Sequence, residues 1–351
     1  MIYIFILLLF IIISFLNGYF GPFLDNIKGN FIHSKSVSIL IPARNEVNRI
    51  SKCIDSLIIQ DYPNFKIIVL DDESEDGTFE FLKNKYYYKI QLERGRKRPM
   101  GWLGKSWACQ QLSVMSDSDI LIFTDADNWY KKDAISKSVA YMEKFQLDML
   151  SAFPQNVTTT FSENTFTPIV DRILYSLLPL WLTYKSNRTS LAAANGQWIC
   201  IKKEVYQNIG GHSELRKTNV EDIALARKLK LEGFKILTLS AMNIIYVRMY
   251  NNFSEVFKGF SKNMYQMLGG NISALIFNLL LFWSPIFGLL FSNFETRISI
   301  LILLIFWKLI LQMKYNINII YSIIFYPSIL IFMTATAFIS IFKEKKEFSW
   351  R

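Results

Sequence analysis

Three short runs of branched apolar residues in this chain each stop at a charged cluster. Val37 to Ile41 (VSILI) runs into Pro42 to Glu46 (PARNE), Ile67 to Leu70 (IIVL) into Asp71 to Ser74 (DDES), and Ile120 to Phe123 (ILIF) into Thr124 to Asn128 (TDADN). Runs of four or five such residues without polar alternation fit strands buried on both faces. Between the first two, Ile50, Cys53, Ile54, Leu57 and Ile58 recur at helical spacing before Pro63. Strands alternating with helices predict an α/β, Rossmann-like, mostly parallel sheet, in which ligands bind beyond the carboxyl ends of the strands. The charged clusters fall at those ends.

The third cluster carries two carboxylates, Asp125 and Asp127, one residue apart. Side chains at i and i+2 of an extended segment point the same way, so the pair can share one target if the backbone stays extended. A hard divalent cation suits them, because Mg²⁺ is usually held by one or two carboxylates together with substrate phosphates. A solvated strand-to-loop turn would give the same letters. A fourth acidic pair, Glu221-Asp222, opens an apolar helix (EDIALARKLKLE), where the helix dipole stabilises carboxylates.

The chain of 351 residues is 51% hydrophobic and 15% aromatic, too apolar for a purely soluble protein. Ile2 to Leu16, extended by Tyr19 to Leu24, approaches the ~20 residues a membrane crossing needs and lacks a basic n-region or small-residue cleavage site. Residues 1–24 therefore read as an uncleaved anchor. Lys28, Lys35 and Arg44 follow it, which places the bulk of the chain on the cytoplasmic side and, with the C-terminal apolar runs, predicts a multi-pass cell-membrane protein. An α/β domain is expected over 36–250, an amphipathic interfacial segment over 251–270, and a C-terminal transmembrane region over 271–343. That region holds Ile272 to Phe291, Ile298 to Leu311 and Ile319 to Phe342, giving two or three helices, before a basic tail at 344–351 with Lys345 and Lys346. Phe166 to Tyr184 reads equally as an interfacial amphipathic helix or a core helix. A net charge of +10 suits anionic lipid or phosphate-bearing ligands, and no nucleic-acid partner is required. Cys53, Cys109 and Cys200 lack zinc or disulfide spacing, and His33 and His212 are too few for a histidine-based site. His212, in a GGH turn, reads as a cap of its own loop more readily than as a phosphate contact.

Taken together, PARNE, VLDDESEDGT, TDADN and VED before an apolar helix resemble the inverting glycosyltransferases of family 2, which have the GT-A fold. The resemblance covers Val37 to Met267. The segment RGRKRPMGWLGKSWAC (Arg94 to Cys109) narrows it to the membrane hopanoid-associated and diaponeurosporenoate glycosyltransferases. It implies that Ala43, Glu46, Asp71 and Asp72 bind the base and ribose of a nucleotide-sugar, with a UDP-sugar as the implied donor. Lys105 would lie near the diphosphate, Asp125 would contact the donor, and Asp125 and Asp127 would bind Mg²⁺ or Mn²⁺. Asp222 would be the catalytic base, supported by Glu221. The acceptor would be a lipid such as a carotenoid acid or another isoprenoid. Processive members carry Gln/Arg-x-x-Arg-Trp after the base, and Gly259 to Tyr265 (GFSKNMY) has no such match, which disfavours a polymer synthase. Two other readings remain: transfer to a polyprenyl phosphate, with Arg216, Lys217 and Arg248 as cations for it, and a non-catalytic membrane protein that binds nucleotide or lipid.

Overall fold

The computed structural model describes residues 1–27, 35–218 and 220–344. Lys28, His33 and the tail with Lys345 and Lys346 lie outside the described residues. The chain divides into two compact units, one built from 22–155 and 182–248, the other from 1–21, 156–181 and 249–347.

The first unit is α/β. Its strands are β1 (Val37–Ala43), β2 (Phe65–Asp71), β3 (Gln91–Arg94), β4 (Ile120–Phe123), β5 (Asn128–Tyr130), β6 (Met149–Phe153), β7 (Gln155–Asn156, at the unit's edge), β8 (Ile199–Lys202), β9 (Ile236–Ser240) and β10 (Ile245–Val247). Seven form one sheet in the order β3-β2-β1-β4-β8-β6-β9. All neighbours are parallel except β8, which runs antiparallel to both β4 and β6. β5 and β10 pair separately and antiparallel.

Period-two geometry explains why the apolar runs are continuous. Val37, Ile39 and Ile41 of β1 enter one core with Ile67, Val69 and Ile122, while Leu40 enters the opposite core with Ile68, Leu70, Leu121 and Phe123. Full burial of each such side chain contributes about 1.5–3 kcal/mol, and the buried polar side chain of β1, Ser38, is satisfied by the Ser116 and Ser118 hydroxyls. Helix Ile50–Ile58 turns Ile50, Cys53, Ile54 and Leu57 into the first core, as its spacing predicts.

β8 begins only at Ile199, and 192–198 before it is a loop and turn. Asn195-Gly196 is a turn-forming pair that interrupts the apolar pattern.

The second unit is helical, with helices Ile2–Phe20, Ile169–Leu177, Phe253–Met267, Ile272–Phe291, Phe294–Tyr315, Ile319–Ile324 and Tyr326–Glu344 among its elements. Among the described residues two helices are long and apolar enough to cross a membrane, Ile2–Phe20 and Ile272–Phe291. The run Ile319 to Phe342 is broken at Phe325, and the run Ile298 to Leu311 lies inside a longer helix that starts at Phe294, capped by Asn293. Helix Ile169–Leu177 buries Ile169, Asp171, Arg172, Leu174, Tyr175 and Ser176, so this part of Phe166 to Tyr184 is a core helix of its unit. Polar groups of these apolar helices find partners within the unit: Asn17 Nδ2 donates to Tyr175 O and Leu178 O, and Trp307 Nε1 to Ser176 Oγ.

Candidate active site

All the acids singled out in the sequence belong to the α/β unit. Asp71 sits at the end of β2, in register with Ala43 at the end of β1, and Asp72 N–H donates to Ala43 O at 2.8 Å. The two loops that follow interlock. Asn45 N–H donates to Ser74 Oγ, Glu75 N–H to Asn45 Oδ1, Glu46 N–H to Thr78 Oγ1 and Val47 N–H to Asp76 Oδ2. Asn45 and Glu73 hold positive φ at these turns (57° each). Ala43, Asp71 and Asp72 thus line adjacent parallel strand ends, while the backbone of Glu46 starts helix Ile50–Ile58 by accepting from Ile50 N–H.

After β4 the backbone does not stay extended. Residues 126 and 127 form a turn into β5, so Asp125 and Asp127 do not share one extended face. Their cations differ as well: Lys105 Nζ lies 2.7 Å from Asp125 Oδ1, whereas Arg49 approaches Asp127 at 4.0 Å. The Asp127 side chain is only 6% exposed, so it is not the open cleft acid that a strand-end position suggests. Both acids, with Glu46, still act electrostatically on the buried Cys53 thiol.

Lys105 joins the third cluster to the fourth. Its Nζ is 3.4 Å from Glu221 Oε1, and Asp222, next along the same helix start, accepts from Gly196 N–H through Oδ2 at 2.8 Å. The loop that presents Gly196 is anchored where Thr124 Oγ1 and Asn128 Nδ2 both donate to Gln197 O at 2.7 Å. Asp125, Glu221, Asp222 and Lys105, far apart in sequence, meet around Gly196.

Residues 38–201 match the family model for glycosyl transferase family 2. That stretch of the chain is similar to a family 2 glycosyltransferase domain. It is 28% identical over 244 residues to the 4,4'-diaponeurosporenoate glycosyltransferase of Staphylococcus aureus strain USA300, and 29% identical over 247 residues to that of strain MRSA252. The match takes in 69% of this chain and spans 64% of the relative's length. In three dimensions the chain is similar to the mannosyltransferase PcManGT from Pyrobaculum calidifontis, solved in complex with GDP-Man and Mn²⁺, with a TM-score of 0.62 and 13% identity. That likeness covers 98% of this chain and 96% of the other, and shows a shared GT-A-like fold.

Within the α/β unit, electrostatics separate the acids. Loss of solvation raises the Asp222 carboxyl above its ordinary value, and neighbouring Glu221 raises it further, against Lys105 and the Gly196 and Ile223 amides. Lys105 loses solvation too, but Asp125 and Glu221 hold it firmly protonated. Burial pushes Asp72 up to about 6, opposed by Arg44 at 3.7 Å. Burial likewise raises the Cys53, Cys109 and Cys200 thiols, so all three are protonated and inert. His212 is an internal strut: its Nδ1 shares a 2.6 Å hydrogen bond with Tyr206 OH, and burial lowers its pKa to about 4.

Sequence reasoning missed Gly196, whose neighbour Asn195 was the available signal. A Cβ at Gly196 would stand 3.1 Å from Lys105 Nζ and 3.6 Å from Asp222 Oδ2, so glycine lets the loop approach both most closely. It also placed no cation beside Asp125, because Lys105 lies 20 residues upstream on helix Gly104–Met115. The basic segment before that helix is pinned by Trp107 Nε1 donating to Arg96 O and by Gln111 Oε1 accepting from Arg96 N–H. Leu103 N–H donates to Arg216 O, which brings Arg216 and Lys217 to the same helix start.

As for a metal, no group of three or more Asp, Glu, His or Cys side chains among the described residues can hold one. Asp125 is paired with Lys105 and the 126–127 turn separates it from the buried Asp127, so in this arrangement the two carboxylates do not converge on one cation.

Proposed function

We propose that the protein transfers a single sugar from a nucleotide-sugar to a lipid-soluble acceptor, with inversion at the sugar carbon. The observation that carries this reading is the convergence of Asp125, Glu221 and Asp222 on Lys105 and Gly196, beside strand ends that offer Ala43, Asp71 and Asp72.

In this reading Ala43, Glu46, Asp71 and Asp72 seat the base and ribose of the donor, for which a UDP-sugar is the first choice. Lys105 neutralises charge at the diphosphate. Asp125, on exchanging Lys105 for a divalent cation, would hold that cation with the donor phosphates and Asp127, and the cation would supply positive charge to the departing diphosphate. Asp222 takes the proton of the acceptor hydroxyl as its oxygen attacks, and a carboxyl raised above the ordinary Asp range is the stronger base. Glu221 keeps Lys105 in place and sustains that shift. One in-line displacement inverts the centre. A carotenoid acid is the acceptor class the relative's name suggests. The apolar helices Ile2–Phe20 and Ile272–Phe291 would anchor the protein in the cell membrane, with the catalytic domain on the cytoplasmic side where nucleotide-sugars are made. Other helices of the second unit would add passes.

A polyprenyl-phosphate acceptor is the second reading, favoured by Arg216 and Lys217 beside the Lys105 helix. The test is full-length protein in neutral-lipid nanodiscs given a UDP-sugar, a divalent cation and candidate lipids, with products weighed by mass spectrometry. A lipid gaining one hexose, at a rate that falls with Asp222→Asn, is the expected result. Nucleotide binding without any transfer or donor hydrolysis would leave a non-catalytic binding protein.

A further inference from the structure

Among the described residues the helical unit buries two basic side chains, each with a nitrogen that has no hydrogen-bond partner. Lys308, in the middle of helix Phe294–Tyr315, is 0% exposed, and its Nζ has no hydrogen-bond partner. It lies 3.5 Å from the centroid of Trp307 and 4.4 Å from that of Tyr326. Arg172, 3% exposed, donates through Nη2 to Ser322 Oγ and through Nη1 to Thr165 O, while its Nε is buried without a partner. Both approach the stretch from Ser322 to Tyr326, Arg172 through Ser322 Oγ and Lys308 through the Tyr326 ring. Asp171, beside Arg172 in sequence, accepts from Asn156 Nδ2 and acts favourably on the Arg172 charge, but among the described residues no ion-pair contact joins it to Arg172 or Lys308.

A charge withdrawn from water costs more than a desolvated ring face returns. The aromatic faces are therefore a poor substitute for an anion. Around Lys308 the same helix turns Leu301, Ile302, Ile305, Phe306 and Leu309 outward, so an anion reaching it must pass apolar surface. We propose that Lys308 and Arg172 form a binding site for the acidic head, carboxylate or phosphate, of an amphiphile whose apolar chain lies along this unit. The flexible stem of Lys308 lets its ammonium leave the rings and meet the head. Ionisable side chains inside apolar helices are retained at such sites because an apolar residue would otherwise pack better. The site concerns the helical unit alone and stands or falls apart from the glycosyltransferase reading.

The test uses full-length protein in neutral detergent, titrated with oleyl phosphate, oleate, oleyl alcohol and inorganic phosphate, and followed by thermal unfolding and native mass spectrometry. Wild type should bind and be stabilised by both anionic amphiphiles, and far less by the alcohol or by inorganic phosphate. Lys308→Met keeps most of the stem, should remain folded, and should bind the anionic amphiphiles roughly 10- to 100-fold more weakly, the loss expected for hydrogen bonds to a charged group. Arg172→Lys should show a smaller loss. Equal affinity of wild type and Lys308→Met for oleyl phosphate would overturn the site. Stabilisation by inorganic phosphate equal to that by oleyl phosphate would overturn the amphiphile as its ligand, and equal binding of oleyl alcohol would overturn recognition of charge.

Discussion

Lys105 and Lys308 are both drawn in from water, yet they sit in opposite company. Lys105 in the α/β unit lies between Asp125 and Glu221, at 2.7 and 3.4 Å, with Asp222 nearby, so its charge answers an excess of negative charge. Lys308 in the helical unit meets two aromatic rings. The α/β site is arranged for cations, the helical unit for an anion. A mutation at either lysine should therefore change different observables.

The largest effect tests the excess of acids directly. Chelation with EDTA should reduce transfer about 10³-fold, since a bound cation is worth several kcal/mol to a leaving diphosphate, and Mn²⁺ or Mg²⁺ should restore it. Full activity in EDTA would leave Lys105 to meet the charge beside Asp125 without a metal. The next effect is at Asp222. With a hydroxyl acceptor, Asp222→Asn should cost roughly 10² to 10⁴ in kcat while the melting temperature holds, because the amide oxygen can still accept from Gly196 N–H. A carboxylic acid acceptor is already ionised near neutrality, its pKa being about 4.3 like that of a Glu side chain, and the same substitution should then cost only ~10-fold. The acceptor identified by mass decides which figure applies, and a loss of several orders on a carboxylate lipid would sink the assignment of Asp222 as a simple base.

Lys105→Met should cost less, about 10- to 100-fold in kcat/KM, the worth of a charge-assisted contact to the donor. It also carries a pH signature. Lys105 lowers the Asp222 pKa, so removing it should move the acid limb of the kcat/KM profile to higher pH, further above the ordinary Asp value of ~3.9. An unmoved limb would show that Asp222 is not the titrating base. Smaller still is Gly196→Ala. The added Cβ meets the far end of a flexible lysine at 3.1 Å rather than backbone, so Lys105 can shift by a few tenths of an ångström. A fall of only a few-fold in kcat is expected, roughly 1 kcal/mol or less, with unchanged unfolding. A large drop in stability would mean that the 192–198 loop is held more rigidly than its turn suggests.

How much of this was legible follows from where each interaction lies in sequence. The strands and their order of acids could be read because burial on both faces of a parallel sheet demands unbroken apolar runs, as in Val37 to Ile41 and Ile67 to Leu70. The Asp125/Asp127 geometry could not, since alternation along a strand says nothing about the turn at 126–127 that separates the two side chains. Nor could Lys105 and Gly196 be placed on the acids, because tertiary folding alone brings residues 105, 125, 196 and 221 together. In the helical unit the apolar letters announced helices, but the break at Phe325 and the burial of Lys308 depend on packing that hydropathy does not encode.

The smallest effect bears on the other side of the comparison. In neutral detergent without anionic lipid, Lys308→Met removes a buried ammonium whose compensation is two ring faces, and replaces it with an apolar side chain of similar reach. Buried charges exchanged for well-packed apolar residues often leave a protein equally or more stable, by about 1–4 kcal/mol. The attraction of Trp307 and Tyr326 for the ammonium offsets part of that difference, so the gain here should be ~1 kcal/mol, seen as a modest rise in melting temperature. Adding oleyl phosphate should then reverse the order, because wild type binds it more tightly and the stabilisation grows with ligand concentration. Lys105→Met provides the control within the same chain. It leaves Asp125, Glu221 and Asp222 together without their cation, so it should gain nothing from the exchange, and oleyl phosphate should stabilise it as it does wild type. If both substitutions shifted stability in the same direction and by the same amount, the contrast between an acid-rich and a cation-rich unit would have no energetic basis.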